Sequence, residues 1–78
     1  MELEKFVEQF ARQFFDTPAD KIKADTEFRQ VEEWSSMTGL CILSMIKDEY
    51  DLFLDPNIFK RCLTVKDVFE AVKANQKS

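Results

Sequence analysis

The stretch EEWSSMTGL, residues Glu32 to Leu40, joins a long polar approach to the most apolar segment of the chain. A helix that begins here would place free backbone N–H groups and the positive end of its macrodipole beside the hydroxyls of Ser35 and Ser36. Such a helix start is a favourable binding position for a phosphate group. We expect the other elements of the chain to pack around this helix start and hold it in place.

The segment that follows is dense in apolar side chains, which point almost all round a helix axis. A helix of this kind has to be covered on most of its sides, so we expect it to be the central core helix. The alternative is that part of its surface faces a partner or an apolar ligand. Gly39, which costs about 1 kcal/mol relative to Ala in a helix interior, indicates close approach by another group near the first turn. The apolar residues are Met37, Leu40, Cys41, Ile42, Leu43, Met45, Ile46 and Tyr50.

A first helix is predicted near the N-terminus from apolar residues at helical spacing that fall within about 100° of arc. Asp16-Thr17-Pro18 is expected to end it, because the residue before a proline avoids the helical region. No period is sustained from Asp16 to Ser35, and we predict an ordered loop that is pinned to the core by large apolar residues. The helical stripe is Leu3, Phe6, Val7, Phe10 and Phe14, and the loop anchors are Ile22, Phe28, Val31 and Trp34.

Two further helices are predicted downstream. Asp55-Pro56 has the order of a helix cap and a first helical residue, which predicts a short helix from Pro56 to about Arg61. Thr64 and Asp67 have the spacing of a capping box at the start of a last helix. With a single Gly and two Pro in 78 residues, we predict one all-α domain over residues 1–78. Its expected form is a small four-helix bundle with three longer helices, one short helix and a long loop between helices one and two.

Composition and charge exclude several classes of function. A formal charge of −4 argues against binding to nucleic acid, since such proteins carry clustered Lys and Arg. No apolar run approaches the roughly 20 residues that span a membrane, and the first residues lack a signal-peptide pattern, so we expect a soluble cytoplasmic protein. We also expect it to be a monomer. Cys41 and Cys62 fit no zinc or CxxC spacing and are expected to be core thiols. The chain has no His, so Ser35 and Ser36 have no visible activating base, and we predict no catalytic residue, no metal and no enzyme activity.

A serine that serves as an attachment point needs no base of its own, because the enzyme that modifies it can supply one. Three short motifs accompany the predicted elements: Ile22 and Thr26-Glu27-Phe28 in the loop, Glu33-Trp34-Ser35-Ser36-Met37 before the apolar helix, and Thr64-Val65-x-Asp67-Val68-Phe69 in the last helix. Together with the order of the predicted elements, these motifs resemble the acyl carrier protein family over essentially the whole chain.

Members of that family carry a covalent 4′-phosphopantetheine on the serine of an Asp-Ser-Leu triplet, which reads Ser35-Ser36-Met37 here. The resemblance therefore implies attachment at Ser36. Met37 in place of Leu keeps size and apolarity, whereas Ser35 in place of Asp keeps helix-capping ability and removes a negative charge that a modifying enzyme could read. The plainer reading is that Ser35 and Ser36 are a helix cap and a first-turn residue.

Two functions stay open on this basis. The first is an acyl carrier that holds acyl groups as thioesters on the phosphopantetheine arm, for fatty-acid, polyketide or related secondary-metabolite biosynthesis. The second is a carrier-fold protein-interaction module that no longer takes the cofactor. The predicted helix around Ser36 is less acidic in its middle than is usual for fatty-acid carriers, which indicates a specialised pathway.

The resemblance also implies partners and a place for the acyl chain. The partners would be a phosphopantetheinyl transferase and acyl-loading or acyl-consuming enzymes with basic docking patches. The candidate contact residues are Glu32, Glu33, Ser35, Met37, Asp48, Glu49 and Asp51. Because carriers of this type can fold the acyl chain between their helices, the candidate pocket wall is Met37, Leu40, Cys41 and Met45.

Overall fold

The computed structural model describes residues 2–76, and the regular secondary structure in this range is entirely helical. Two single 3-10 turns, Ala19–Lys21 and Phe28–Gln30, lie in the long segment between the first two α-helices. The prediction of an all-α fold with three longer helices, one short helix and a long loop is therefore confirmed. The α-helices are α1 (Glu2–Ala11), α2 (Ser36–Tyr50), α3 (Ile58–Arg61) and α4 (Val65–Asn75).

An aromatic cluster joins α1, the long loop and α3 beneath the start of α2. Phe28, on the second 3-10 turn, is fully buried, and its ring centroid lies 5.6 Å from that of Phe10 and 4.9 Å from that of Trp34. The ring of Phe59 on α3 lies 5.3 Å from Trp34 and 5.8 Å from Phe28. Aromatic pairs at such separations contribute about 0.5–1.5 kcal/mol each beyond the area that they bury.

The loop between α1 and α2 is anchored as the sequence predicted. Ile22 and Phe28 are buried, and Val31 and Trp34 are half-buried against the same core. The charged residues between these anchors are mostly exposed. The loop therefore carries the chain across the domain and delivers Trp34 directly to the start of α2.

The predicted end of α1 at Asp16-Thr17-Pro18 is wrong, because the helix stops at Ala11. Beyond it the chain tightens, and the N–H of Phe14 donates to the carbonyl of Ala11 at 3.0 Å. This tighter turn brings Phe14 into the core and leaves Phe15 exposed. The N–H groups that follow bind the carboxylate of Glu33 instead of helical carbonyls.

The last two helices begin at local polar signals. The start of α3 is two residues later than predicted, because Asp55 accepts a hydrogen bond from the N–H of Asn57 at 2.8 Å and holds that residue in a turn. The start of α4 has the predicted capping box: the hydroxyl of Thr64 accepts from the N–H of Asp67 at 3.2 Å, and Asp67 accepts from the N–H of Thr64 at 3.0 Å. Both predictions of a helix are therefore confirmed, with a shifted boundary for α3.

The central helix α2 is not covered on most of its sides, contrary to expectation. Ile42 and Ile46 are fully buried, whereas Met37 is 70% exposed and Leu40 is 56% exposed. A domain of this size has too little surrounding surface to enclose a 15-residue helix, since α3 is a single turn. Within residues 2–76, none of the helices combines the length and the apolarity that a membrane crossing requires.

Candidate functional site

Ser35 and Ser36 lie together at the start of α2, and both are exposed. Ser35 is the N-cap, with an extended backbone, and its side-chain oxygen accepts from the N–H of Thr38 at 3.3 Å. Thr38 in turn donates its hydroxyl to the carbonyl of Glu33 at 3.3 Å. Ser36 is the first helical residue, and its hydroxyl has no hydrogen-bond partner within residues 2–76. The hydroxyl of Ser36 is thus presented to solvent from a helical backbone position.

The backbone donors in the first turn of α2 are only partly used. The N–H of Gly39 donates to the carbonyl of Ser35 at 3.0 Å, and that of Thr38 binds the Ser35 side chain. The N–H groups of Ser36 and Met37 have no acceptor in the described part of the chain, and no acidic residue lies in this turn. Free donors at the positive end of a helix dipole favour an anion.

Glu33 fastens the segment after α1 to the start of α2. Its carboxylate accepts the backbone N–H groups of Phe15 at 2.7 Å, Asp16 at 3.0 Å and Thr17 at 2.8 Å, and also the hydroxyl of Thr17 at 2.7 Å. The hydrogen bond from the Thr17 side chain, with those from the backbone, lowers the pKa of Glu33. Glu33 was a candidate contact for partner enzymes, but its carboxylate is already hydrogen-bonded to residues 15–17 of the same chain.

A groove of about 500 Å³ opens beside Ser36, between α2 and α3. Trp34, Leu43 and Phe59 form apolar parts of its wall, and Gly39 lies among them. A Cβ atom at position 39 would lie 3.4 Å from the ring of Phe59 and 3.7 Å from Trp34. The close approach that the sequence predicted at this glycine is therefore confirmed, although an alanine would fit in ordinary van der Waals contact.

Two basic residues, Arg29 and Lys60, also line this groove. Sequence reasoning missed both of them, because they come from the loop and from α3 and no local motif links them. The guanidinium of Arg29 donates to the carbonyl of Cys62 at 3.2 Å, which ties it to the end of α3. Among the described residues that line the groove there is no Asp or Glu.

The four residues predicted to form an acyl pocket are not gathered around this groove. Leu40 lines it, but Leu40 also lies with Met37, Cys41 and Met45 along a second, shallower groove of about 380 Å³ that includes Gln13. Met45 is nearly buried there, whereas Met37 is largely exposed. The four candidate residues therefore do lie together, but along this second groove and not along the groove beside Ser36, which only Leu40 also reaches.

The acidic residues predicted to contact partners lie at both ends of α2. Glu32 is exposed near Ser36, but Asp48 lies about 18 Å further along the helix axis at 1.5 Å per residue. Near that far end Glu49 accepts a hydrogen bond from the buried amide of Gln9 at 3.1 Å, and Asp51 pairs with Lys47 at 3.1 Å. These acids do not form one continuous group beside Ser36.

Both cysteines are free thiols. Cys62 is a core thiol, as predicted, and burial raises its pKa, whereas Cys41 is only half-buried on α2. No group of three or more His, Cys, Asp or Glu side chains within residues 2–76 is arranged to hold a metal ion.

The site is therefore defined by position: an exposed serine, unused backbone donors and an adjoining groove meet at one helix start. Comparison of the chain with models of protein families, with curated proteins and with solved structures gave no match. The function has to be inferred from this geometry and from the short motifs around it.

Proposed function

We propose that this chain is a phosphopantetheine-dependent acyl carrier with a carrier-type four-helix bundle, and that its arm is attached to Ser36. The start of α2 carries the proposal, because it combines an exposed hydroxyl, a fixed backbone and two N–H groups without a protein acceptor among the described residues. The likeness of Ser35-Ser36-Met37 to the Asp-Ser-Leu triplet of acyl carrier proteins points to the same residue.

Attachment is a phosphoryl transfer in which the catalytic groups belong to the transferase. The oxygen of Ser36 bonds to the phosphorus of a nucleotide-linked phosphopantetheine donor, and the bond from that phosphorus to the nucleotide portion breaks. The hydroxyl proton passes to a base of the transferase, so this chain needs no base of its own. The chain contributes exposure, a rigid position and the N–H groups of Ser36 and Met37, which suit the negative charge of the resulting phosphodiester.

When bound, the arm supplies a terminal thiol that carries acyl groups as thioesters. The chain holds the anchor of that arm in place. Glu33 ties the segment after α1 to the turn that precedes Ser36, and the rings of Phe28, Trp34 and Phe59 support the same turn from the core. A fixed anchor lets partner enzymes find the arm at one position on the surface.

The surface beside Ser36 suits enzymes that dock through apolar contacts. Met37 and Leu40 are exposed on α2 next to the proposed attachment point. Exposed apolar groups of this kind favour burial against a partner. We propose that a phosphopantetheinyl transferase and acyl-loading and acyl-consuming enzymes dock here, with basic patches that reach Glu32 near Ser36 and Asp48, Glu49 and Asp51 at the far end of α2.

Intact-mass measurement after co-expression with a broad-specificity transferase tests the proposal. Wild-type protein should gain the mass of one phosphopantetheine, and Ser36→Ala should gain nothing. Ser44→Ala, at another exposed serine of α2, is the matched control and should still be modified. An unmodified wild-type chain, in cells where a known carrier is modified, would contradict the proposal.

The second candidate is a carrier-fold interaction module that takes no arm. It is favoured by Ser35, which stands where acyl carrier proteins have an acid that their modifying enzymes could read. A stable partner that binds unmodified wild type and Ser36→Ala equally well would favour this candidate. A partner that binds modified wild type, but neither unmodified wild type nor Ser36→Ala, would favour the carrier.

A further inference from the structure

The groove beside Ser36 has a charge opposite to that of the chain. The chain carries a formal charge of −4. The described residues that line the groove nevertheless include Arg29 and Lys60 and no acid. Resting on the proposed function, we infer that this groove receives the acyl group carried by the arm and selects acyl groups that end in a carboxylate, such as the half-thioester of a dicarboxylic acid.

The size and walls of the groove suit a short acyl chain. Its volume of about 500 Å³ falls within the range of about 300–1,000 Å³ that is typical of small-molecule sites. Leu43 and Phe59 offer apolar surface for methylene groups, and Gly39 adds no side chain that would fill the space. Ser36 belongs to the same lining, so an arm anchored there begins at the edge of the groove.

The two cations are free to meet an anion. The ion pairs in the described part of the chain are Lys47 with Asp51 and Lys73 with Glu2, and neither involves Arg29 or Lys60. The bond to the Cys62 carbonyl positions the Arg29 guanidinium and uses one of its donors. The donors that remain can bind a carboxylate through two parallel hydrogen bonds.

The phosphodiester on Ser36 would be a second anionic group near the same cations. Protein loaded with a neutral acyl group has the phosphodiester but no acyl carboxylate. Comparing it with protein loaded with a carboxylate-bearing acyl group therefore separates the effects of the two anions. Glutaryl and pentanoyl groups form a matched pair, because they have the same number of carbon atoms and differ in the terminal carboxylate.

The test loads wild-type protein with each group from the corresponding coenzyme A thioester, and intact mass confirms the load. Thioester hydrolysis is then followed at neutral pH and low salt, and each rate is divided by that of the same thioester on free pantetheine. The normalised rate should be at least threefold lower for glutaryl than for pentanoyl. The indole N–H resonance of Trp34, the single tryptophan, should move more with glutaryl.

The double variant Arg29→Gln/Lys60→Gln should remove the difference between the two loads. Lys60→Gln alone should reduce it, and this change breaks no hydrogen bond within residues 2–76. High salt should weaken the protection of the glutaryl form in wild type, since exposed charges are screened.

Equal normalised rates for the two loads, or a difference that survives the double variant, would overturn the inference. It would also be overturned if the double variant altered the pentanoyl and glutaryl forms equally, because the cations would then serve the phosphodiester. Failure of loading, seen as no mass increase, contradicts the proposed function and this inference together. The mass measurement thus separates that failure from a failure of cargo selection.

Discussion

The starts of α2 and α4 use the same kind of cap. Ser35 accepts the N–H of Thr38 at 3.3 Å, and Thr64 accepts the N–H of Asp67 at 3.2 Å. At α4, however, Asp67 also returns a hydrogen bond to the N–H of Thr64. Thr38 has no carboxylate to return one, so the two starts differ in how fully their donors are used.

The first-turn donors of α4 are bound to the long loop. The N–H of Val65 donates to the carbonyl of Thr26 at 3.2 Å, and the N–H of Lys66 donates to that of Ala24 at 2.9 Å. The equivalent N–H groups in α2 belong to Ser36 and Met37, and these have no acceptor among the described residues. A helix start with all its donors used holds the fold together, whereas one with free donors can receive an anion.

The largest effect on stability is expected from the aromatic support beneath the start of α2. Phe28→Ala should cost about 3–5 kcal/mol, because it opens a cavity where the rings of Phe10, Trp34 and Phe59 meet. Urea unfolding measures this loss. Phe53→Ala, at a side chain that is 82% exposed, is the control and should stay within about 0.5 kcal/mol. Equal losses would show that apolar packing does not hold this start.

A smaller difference is expected between the two caps. Thr64→Ala should cost about 1–2 kcal/mol, because it breaks a reciprocal capping box, and Ser35→Ala should cost about 0.5–1 kcal/mol. Denaturant unfolding of both variants in the same buffer provides the comparison. A greater loss for Ser35→Ala would mean that the single hydrogen bond at the start of α2 stabilises the fold more than the capping box of α4, which would contradict the expected order.

The acid dependence of stability should also separate the two starts. Hydrogen bonds from the backbone N–H groups of Thr64 and Leu63 lower the pKa of Asp67 in the folded chain. The ionised form therefore stabilises the fold fully above the ordinary aspartate pKa of about 3.9, and this contribution is lost as the pH falls through the lowered folded pKa.

Asp67→Asn should therefore be less stable than wild type at pH 7, and the difference between their free energies of unfolding should become smaller in acid. Unfolding free energies at several pH values between about 7 and 3 measure this trend. Glu33→Gln is a companion variant, because the pKa of Glu33 is lowered by the hydrogen bond from Thr17 and by backbone N–H groups. A difference in unfolding free energy that stays constant with pH would show that the ionised carboxylate replaced in that variant does not stabilise the fold.

Local patterns predicted the starts of α2 and α4 well, because the signals lie within a few residues of one another. The spacing of Thr64 and Asp67 identified the capping box, and Ser35 was placed correctly at the start of α2. The loop anchors Ile22 and Phe28 were recognised because large apolar residues are costly to leave in water. These features need no knowledge of distant parts of the chain.

Features that depend on distant residues were not predicted. The chain after the early end of α1 is held by Glu33, whose carboxylate accepts the N–H groups of Phe15, Asp16 and Thr17, and no pattern within α1 indicates that contact. The charge of the groove arises because Arg29 and Lys60 line one cleft although they belong to separate elements. The exposure of Met37 reflects how few elements surround α2.

The smallest effect on stability is expected for Ser35→Asp. Both residue types are good N-caps, and a carboxylate at a helix start contributes about 0.3–1 kcal/mol, so stability should change little. On the proposed function, the rate of phosphopantetheine transfer to Ser36 should rise, because the variant introduces the negative charge that the Asp-Ser-Leu triplet of acyl carrier proteins has at the residue before the serine. The rate is measured with purified transferase, and an unchanged rate would mean that the charge is not read.

The role of Ser36 is tested most directly by the intact mass of the protein purified from its own cell, followed by fragmentation. We expect the mass of the chain plus one phosphopantetheine, with or without an acyl group, and fragments that place the addition on Ser36. The mass of the bare chain, in a preparation where a known acyl carrier protein keeps its arm, would contradict the proposed role of Ser36.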